Sequence, residues 1–201
     1  MSPTSLRLTC AVLVLVAAAG VSADGPVTKS EAELLKKKVA SIAAFGGPAA
    51  SKGQHTTISE RELNAYLNFD AQPQLPAGVL EPSVAILGTG RLSGRAVVDL
   101  DVVRKAKRPS TGLFDPMSFL TGRLPVTATG ILRTGDGKGR FELQSATVGG
   151  LPIPKTMLQE IVGHYSRTPA NPTGLDIEGP FPLPSGIREI HVESGQAVIV
   201  Q

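Results

Sequence analysis

The sequence predicts an α+β fold with an antiparallel sheet that keeps its helices on one face, and three observations carry that prediction. The elements read in the order helices, strands, helix, strands, which suits hairpin-connected strands better than the strict alternation of a parallel sheet. Residues Arg91–Val103 alternate: Leu92, Gly94, Ala96, Val98, Leu100 and Val102 share one face, and Arg91, Ser93, Arg95, Asp99 and Asp101 share the other. The 22 Gly and 16 Pro among 201 residues make turns frequent and argue against long helical bundles.

The N-terminal segment has the layout of an export signal. Arg7 precedes an apolar run from Cys10 to Ala19, and Gly20-Val21-Ser22-Ala23 supplies the small residues of a cleavage site. Residues 1–23 are therefore expected to be a cleaved signal peptide and residues 24–201 a single domain, periplasmic or secreted. The run is shorter than the roughly 20 apolar residues of a membrane span. Cleavage removes the only cysteine, so the expected domain relies on its hydrophobic core without disulfides. The net charge of +3 and the absence of Trp give no footprint for nucleic acid.

Taken in order, Ser30 is placed to cap a first helix, with Glu31 and Glu33 in its first turn and Leu34, Leu35, Val39, Ile42 and Phe45 as its apolar stripe. Gly46-Gly47-Pro48 ends it. Lys36, Lys37 and Lys38 read as a solvated face, and 49–57 as a loop. Ser59 opens a second helix with Glu62 at capping-box spacing, followed by the stripe Leu63, Tyr66 and Leu67, and Pro73 closes the region.

Strand pattern takes over at 84–87. Gly88-Thr89-Gly90 turns into the strand Arg91–Val103, which at about 3.3 Å per residue would run roughly 43 Å and cross the whole domain. A loop over 105–123 carries Leu113, Phe114, Met117, Phe119 and Leu120. Val126–Arg133 and Arg140–Val148 flank the hairpin connection Thr134–Gly139. Leu158, Ile161, Val162 and Tyr165 mark a third helix over Lys155–Arg167. The chain then returns to strands at Leu175–Glu178, Ile187–Glu193 and Gln196–Gln201, the last two joined across Ser194-Gly195.

Little in this pattern points to catalysis. Asp99 and Asp101, two apart on one strand face, would lie about 7 Å apart, a spacing open to an acid/base pair or a cation site, but they sit among Arg91 and Arg95 on a wet face. His55, His164 and His191 are far apart and show no metal-ligand spacing. No Gly-x-Ser-x-Gly elbow occurs, and Gly88-Thr89-Gly90 and Gly135-Asp136-Gly137 fall in hairpin turns instead of ahead of helices. No cofactor and no metal is expected. Arg104, Lys105, Lys107 and Arg108 cluster at the end of the long strand, directly before the loop with Phe114, Met117 and Phe119. Cations beside apolar loop residues suit contact with lipid headgroups or a membrane surface, although a solvated strand end uses the same residues.

Two stretches resemble known families. Ile58-Ser59-Glu60-Arg61-Glu62-Leu63-Asn64-Ala65-Tyr66-Leu67 is similar to the Leu-Asn-x-x-Leu helix of YpmS-type extracytoplasmic proteins. Phe181-Pro182-Leu183-Pro184-Ser185-Gly186-Ile187, followed by a strand, Gly195 and a Val-rich strand, is similar to the ending of LmeA-type lipid-binding proteins of the cell envelope. Both groups are related to the tubular lipid-binding superfamily. The resemblance implies a long, strongly curved antiparallel sheet wrapped around a helix, with further N-terminal helices and an apolar groove. It covers residues 58–201 in element order and brings no catalytic residues with it.

The expected function is that of an exported, non-enzymatic binder or carrier of a lipid or other amphipathic ligand. Leu92, Ala96, Val98, Leu100, Phe141, Leu143, Leu158, Ile161 and Tyr165 would line the groove, with Phe114, Met117 and Phe119 at its mouth. The alternative is a structural or protein-interaction module of the envelope whose core is filled. An amphipathic core and a lipid groove read alike at this level.

Overall fold

The computed structural model describes residues 25–45, 53–106, 121–167 and 171–201. The expected signal peptide and the residues Phe114, Met117, Phe119, Lys107 and Arg108 lie outside them. The described residues have an α+β fold with a large, unclosed antiparallel sheet and, among them, four helices: α1 (Lys29–Phe45), α2 (Glu60–Phe69), α3 (Leu100–Ala106) and α4 (Lys155–Ser166). The large sheet is formed by β2 (Val79–Gly88), β3 (Arg91–Asp99), β4 (Arg123–Gly135), β5 (Lys138–Val148) and β6 (Leu151–Pro152), in that order, and β7 (Phe181–Pro182) pairs with the other end of β5. A second sheet has the order β1 (His55–Ser59), β9 (Gln196–Val200), β8 (Glu189–Glu193). Every pairing is antiparallel.

Several elements differ from the sequence reading. Ser30 lies inside α1, and Thr28 is the residue that closes its start. The Thr28 amide donates to Glu31 Oε2 at 2.7 Å and the Thr28 hydroxyl accepts from the Glu31 amide at 3.4 Å, the reciprocal pair of a capping box. Leu35 and Ile42 of the predicted stripe are buried with Ala32, but Leu34 and Val39 face outward, 49% and 43% exposed. Residues 55–57, expected at the end of a loop, form β1 together with Ile58 and Ser59, because their backbone pairs with β9 despite a polar sequence. No strand forms at 175–178. There the Ile177 amide bonds to Gln159 of α4, and the Leu175 carbonyl accepts from the same side chain.

The long strand is also displaced. β3 stops at Asp99, whose carboxylate accepts from the Val102 amide at 3.2 Å and starts α3 as a helix cap would. The thirteen-residue strand is β4 instead. Leu100 and Val102, predicted on the apolar strand face, belong to α3, and Asp101 leaves the strand with them. The 7 Å pairing of Asp99 and Asp101 along one strand therefore does not occur.

The second helix starts as predicted, but it buries Glu62 and Ala65, while Leu63, Tyr66 and Leu67 of the predicted stripe are half-buried. Ser59 accepts from the Glu62 amide, and Glu62 accepts from the Ser59 amide. Lys38, expected on a solvated face, reaches the same carboxylate at 2.7 Å and the Thr57 carbonyl, so it ties α1 to β1 and α2. Ile42, Ile187 and Ile199 form the core beneath the small sheet, with Ile58, Leu183 and Ile190 packed on it.

Candidate functional site

The register of the large sheet sorts its side chains into two unlike faces, because directly paired residues point the same way and neighbours along a strand point oppositely. Leu92 pairs with Gly130 and Ile86, Gly94 with Ala128 and Val84, Ala96 with Val126, and Val98 with Leu124 and Val79. On the far side, Val126 pairs with Val148, Ala128 with Ala146, Gly130 with Leu143, and Leu132 with Phe141. All of these lie on one face. The register shift near Gly130 is what keeps Phe141 and Leu143 on it, since an unbroken register would turn them over.

Of the predicted groove residues, the structure thus brings together Leu92, Ala96, Val98, Phe141 and Leu143. Leu100 does not join them, being 4% exposed at the start of α3 with its amide bonded to the Gly122 carbonyl. Leu158 and Ile161 are half-buried on α4, which packs along β5, and Tyr165 falls on the same helix. Arg104 and Lys105 fall on α3, where Lys105 is exposed. The reading of single strands missed Val79, Leu124, Val126 and Leu132. Cross-strand register was needed to place them.

The middle of this apolar face is open. Leu92, Ala96, Val98, Leu124 and Val126 are only half-buried although they stand on the inner strands β3 and β4, and no large side chain among the described residues is completely buried. At Gly94 a β-carbon would meet nothing within 4 Å. Gly130 differs: a β-carbon there would fall 2.5 Å from the Phe141 ring and from the Glu142 carbonyl. The ring lies across Gly130 and fills the gap left by the missing side chain, as aromatics do over sheet glycines.

The opposite face is largely polar, with Val97, Pro125 and Ile131 as its apolar members on β3 and β4. It carries Ser93, Thr127, Thr129, Ser145 and Thr147 between charged residues, with Ser93 and Thr129 hydroxyls 3.0 Å apart. Arg123 pairs with Asp99 at 3.1 Å and Arg133 with Glu142 at 2.8 Å. Hydrogen bonds from the Val102 amide and Arg123 hold the Asp99 carboxyl below its ordinary value. A depression of about 590 Å³ lies where β4 meets β8, bounded by Thr89, Arg133, Thr134, His191 and Glu193 and open to solvent. His191 contacts Glu189 at 3.1 Å, and no group of metal-ligating side chains occurs among the described residues. No described helix is long and apolar enough to cross a membrane.

What fold and face define together is an α+β protein built on an amphipathic antiparallel sheet whose apolar side is uncovered at its centre. No family model matches the chain, and no curated protein matches it. Among solved structures, a lipopolysaccharide binding protein aligns with 77% of this chain at 14% identity and a TM-score of 0.23, so that the chain spans 44% of that protein's length.

Proposed function

We propose that the apolar face takes up a lipid or another amphipathic hydrophobic molecule, and that the protein binds or carries it without catalysis in the cell envelope. The open space over Gly94, at the centre of the half-buried row Leu92, Ala96, Val98, Leu124 and Val126, is the observation that carries this reading. Gly94, Ala96 and Ala128 are small, so an acyl chain can approach the sheet closely there. Each Å² of apolar surface the chain covers contributes about 25 cal/mol, and the aliphatic row offers no competing polar group. Export through residues 1–23 is the matching expectation for location, and the exposed Lys105 on α3, the helix that follows β3, offers positive charge for a headgroup.

Native mass spectrometry of protein purified without detergent tests the reading, followed by incubation with phosphatidylglycerol. The expected result is a co-purified mass of lipid size or stoichiometric uptake of the added lipid, abolished in Gly94→Phe. Equal native and delipidated masses with no uptake overturn it.

A further inference from the structure

The polar face of the large sheet carries a one-sided charge. Arg91, Arg95, Arg123, Arg133, Lys138 and Arg140 all point from it and all are exposed, against two paired-strand carboxylates, Asp99 and Glu142. Over the whole chain 20 cations face 17 carboxylates, so near-balance overall becomes a strong excess on this one surface. The two carboxylates are already engaged by Arg123 and Arg133. Among the described residues Arg91, Arg95 and Arg140 have no ion-pair partner, although Arg140 is near enough to Glu178 to help hold that carboxyl down.

One pairing in particular is unfavourable for folding. Arg133 stands directly opposite Arg140 across β4 and β5, and like charges in direct register destabilise a sheet. An amphipathic sheet facing only water would be served by interspersed signs. Ser93, Thr127, Thr129, Ser145 and Thr147 lie between the arginine rows and supply hydroxyl donors, while among the described residues no aromatic side chain of β3, β4 or β5 stands on this face for a base to stack on.

We infer that this face docks on an anionic phospholipid surface. Arginine guanidinium groups match phosphate geometry, and a strip of cations several strands wide gathers many headgroups at once. The surface is distinct from the apolar face, and the inference does not rest on lipid uptake.

Co-sedimentation with vesicles of phosphatidylglycerol, compared with vesicles of phosphatidylcholine, tests it on the full chain. The readout is the ratio of the two affinities, in which any contribution of the apolar N-terminal run, common to both vesicles, cancels. The expected result is preference for phosphatidylglycerol, screened by 0.5 M salt and about a hundredfold smaller in Arg91→Gln/Arg95→Gln/Arg140→Gln, with Arg→Lys at the same three positions retaining it. A thermal melt of each variant shows that the fold is kept. A ratio unchanged in the Gln variant overturns the inference, as does a ratio lost only when Lys105, Lys107 and Arg108 are replaced, or tighter binding to RNA or dextran sulfate than to the vesicles. Native mass spectrometry of the same Gln variant reads lipid uptake separately, so failure of docking and failure of the lipid reading are told apart.

Discussion

Asn64 stands in for a strand at the outer edge of β2: its Nδ2 donates to the Val84 carbonyl at 2.8 Å, and its Oδ1 accepts from the Val84 amide at 2.7 Å. The same helix face repeats the device in both directions. Glu60 Oε2 accepts from the Ile86 amide at 2.6 Å, and Asn68 Nδ2 donates to the Pro82 carbonyl at 2.9 Å. Residues four apart on a helix rise about 6 Å, and residues two apart on a strand advance about 6.7 Å, so a ladder of Glu60, Asn64 and Asn68 can stay in step with Ile86, Val84 and Pro82 over this length. A sheet edge that would otherwise invite another strand is covered by side chains.

Replacing Asn64 with Leu keeps the helix and the bulk but leaves both Val84 backbone groups without their partner. Half-buried groups stripped of hydrogen bonds cost about 1–3 kcal/mol. Urea unfolding of Asn64→Leu should show a loss of about 2 kcal/mol, and Asn64→Asp, which retains only the acceptor, should also destabilise. A loss below about 0.5 kcal/mol would mean that water replaces the amide at this edge.

The legibility of this chain followed the range of the interactions. Local signals were readable: Ser59 and Glu62 lie three residues apart, and the capping box forms as their spacing requires. The amphipathic character of residues 91–98 was readable too, since period-2 alternation needs no partner. The end of β3 was not, because the alternation continues through Leu100 and Val102 while the Asp99 side chain and its bond to Val102 turn the backbone into a helix. Pairing of β1 with β9 joins residues about 140 positions apart, and nothing local in His55-Thr56-Thr57 announces it. For the candidate site, Leu92, Ala96, Val98, Phe141 and Leu143 could be found singly. Their common face depends on a register shift that no strand records alone.

The two inner glycines should respond oppositely to the same substitution. Gly94→Val adds a side chain to open space on a strand whose backbone favours branched residues, so stability should stay the same or rise by up to about 1 kcal/mol. Gly130→Val must displace the Phe141 ring and meets the Glu142 carbonyl, which cannot move without opening the β4–β5 ladder. A loss of at least about 2 kcal/mol is expected from such overpacking. Thermal melts of the two variants check the contrast, and equal losses would show that the space over Gly94 is filled.

Acid should release the start of α1 from α2. Arg61 bonds to Glu31 at 2.7 Å, and together with the Thr28 amide it lowers the Glu31 carboxyl from 4.5 to about 2. A carboxyl depressed on folding contributes stability that is present above its unfolded value and lost as pH falls through its folded one. The contribution of Glu31 should therefore be complete above about pH 4.5 and gone below about 2. In Arg61→Gln the Glu31 resonance followed by NMR should titrate nearer its ordinary value, and the slope of stability against pH in that window should flatten. Glu62 contributes in the same sense. Burial pushes its carboxyl up, but hydrogen bonds from Lys38 and the Ser59 amide outweigh that and leave it below its ordinary value.

Asp99 has two partners, and substitution can separate them. Its bond to the Val102 amide is that of a helix cap, worth about 1 kcal/mol, whereas its ion pair with Arg123 involves a guanidinium that is 69% exposed and is worth at most a few tenths. Asn retains the cap and loses the charge. If capping is what ends β3, Asp99→Asn and Arg123→Gln should each cost less than about 0.5 kcal/mol, while Asp99→Ala should cost about 1 kcal/mol and raise amide exchange at Val102. If the ion pair dominates instead, Asn and Ala will be equally damaging and Arg123→Gln will match them. That result would move the cause of the strand's early end from the local cap to the cross-strand partner on β4.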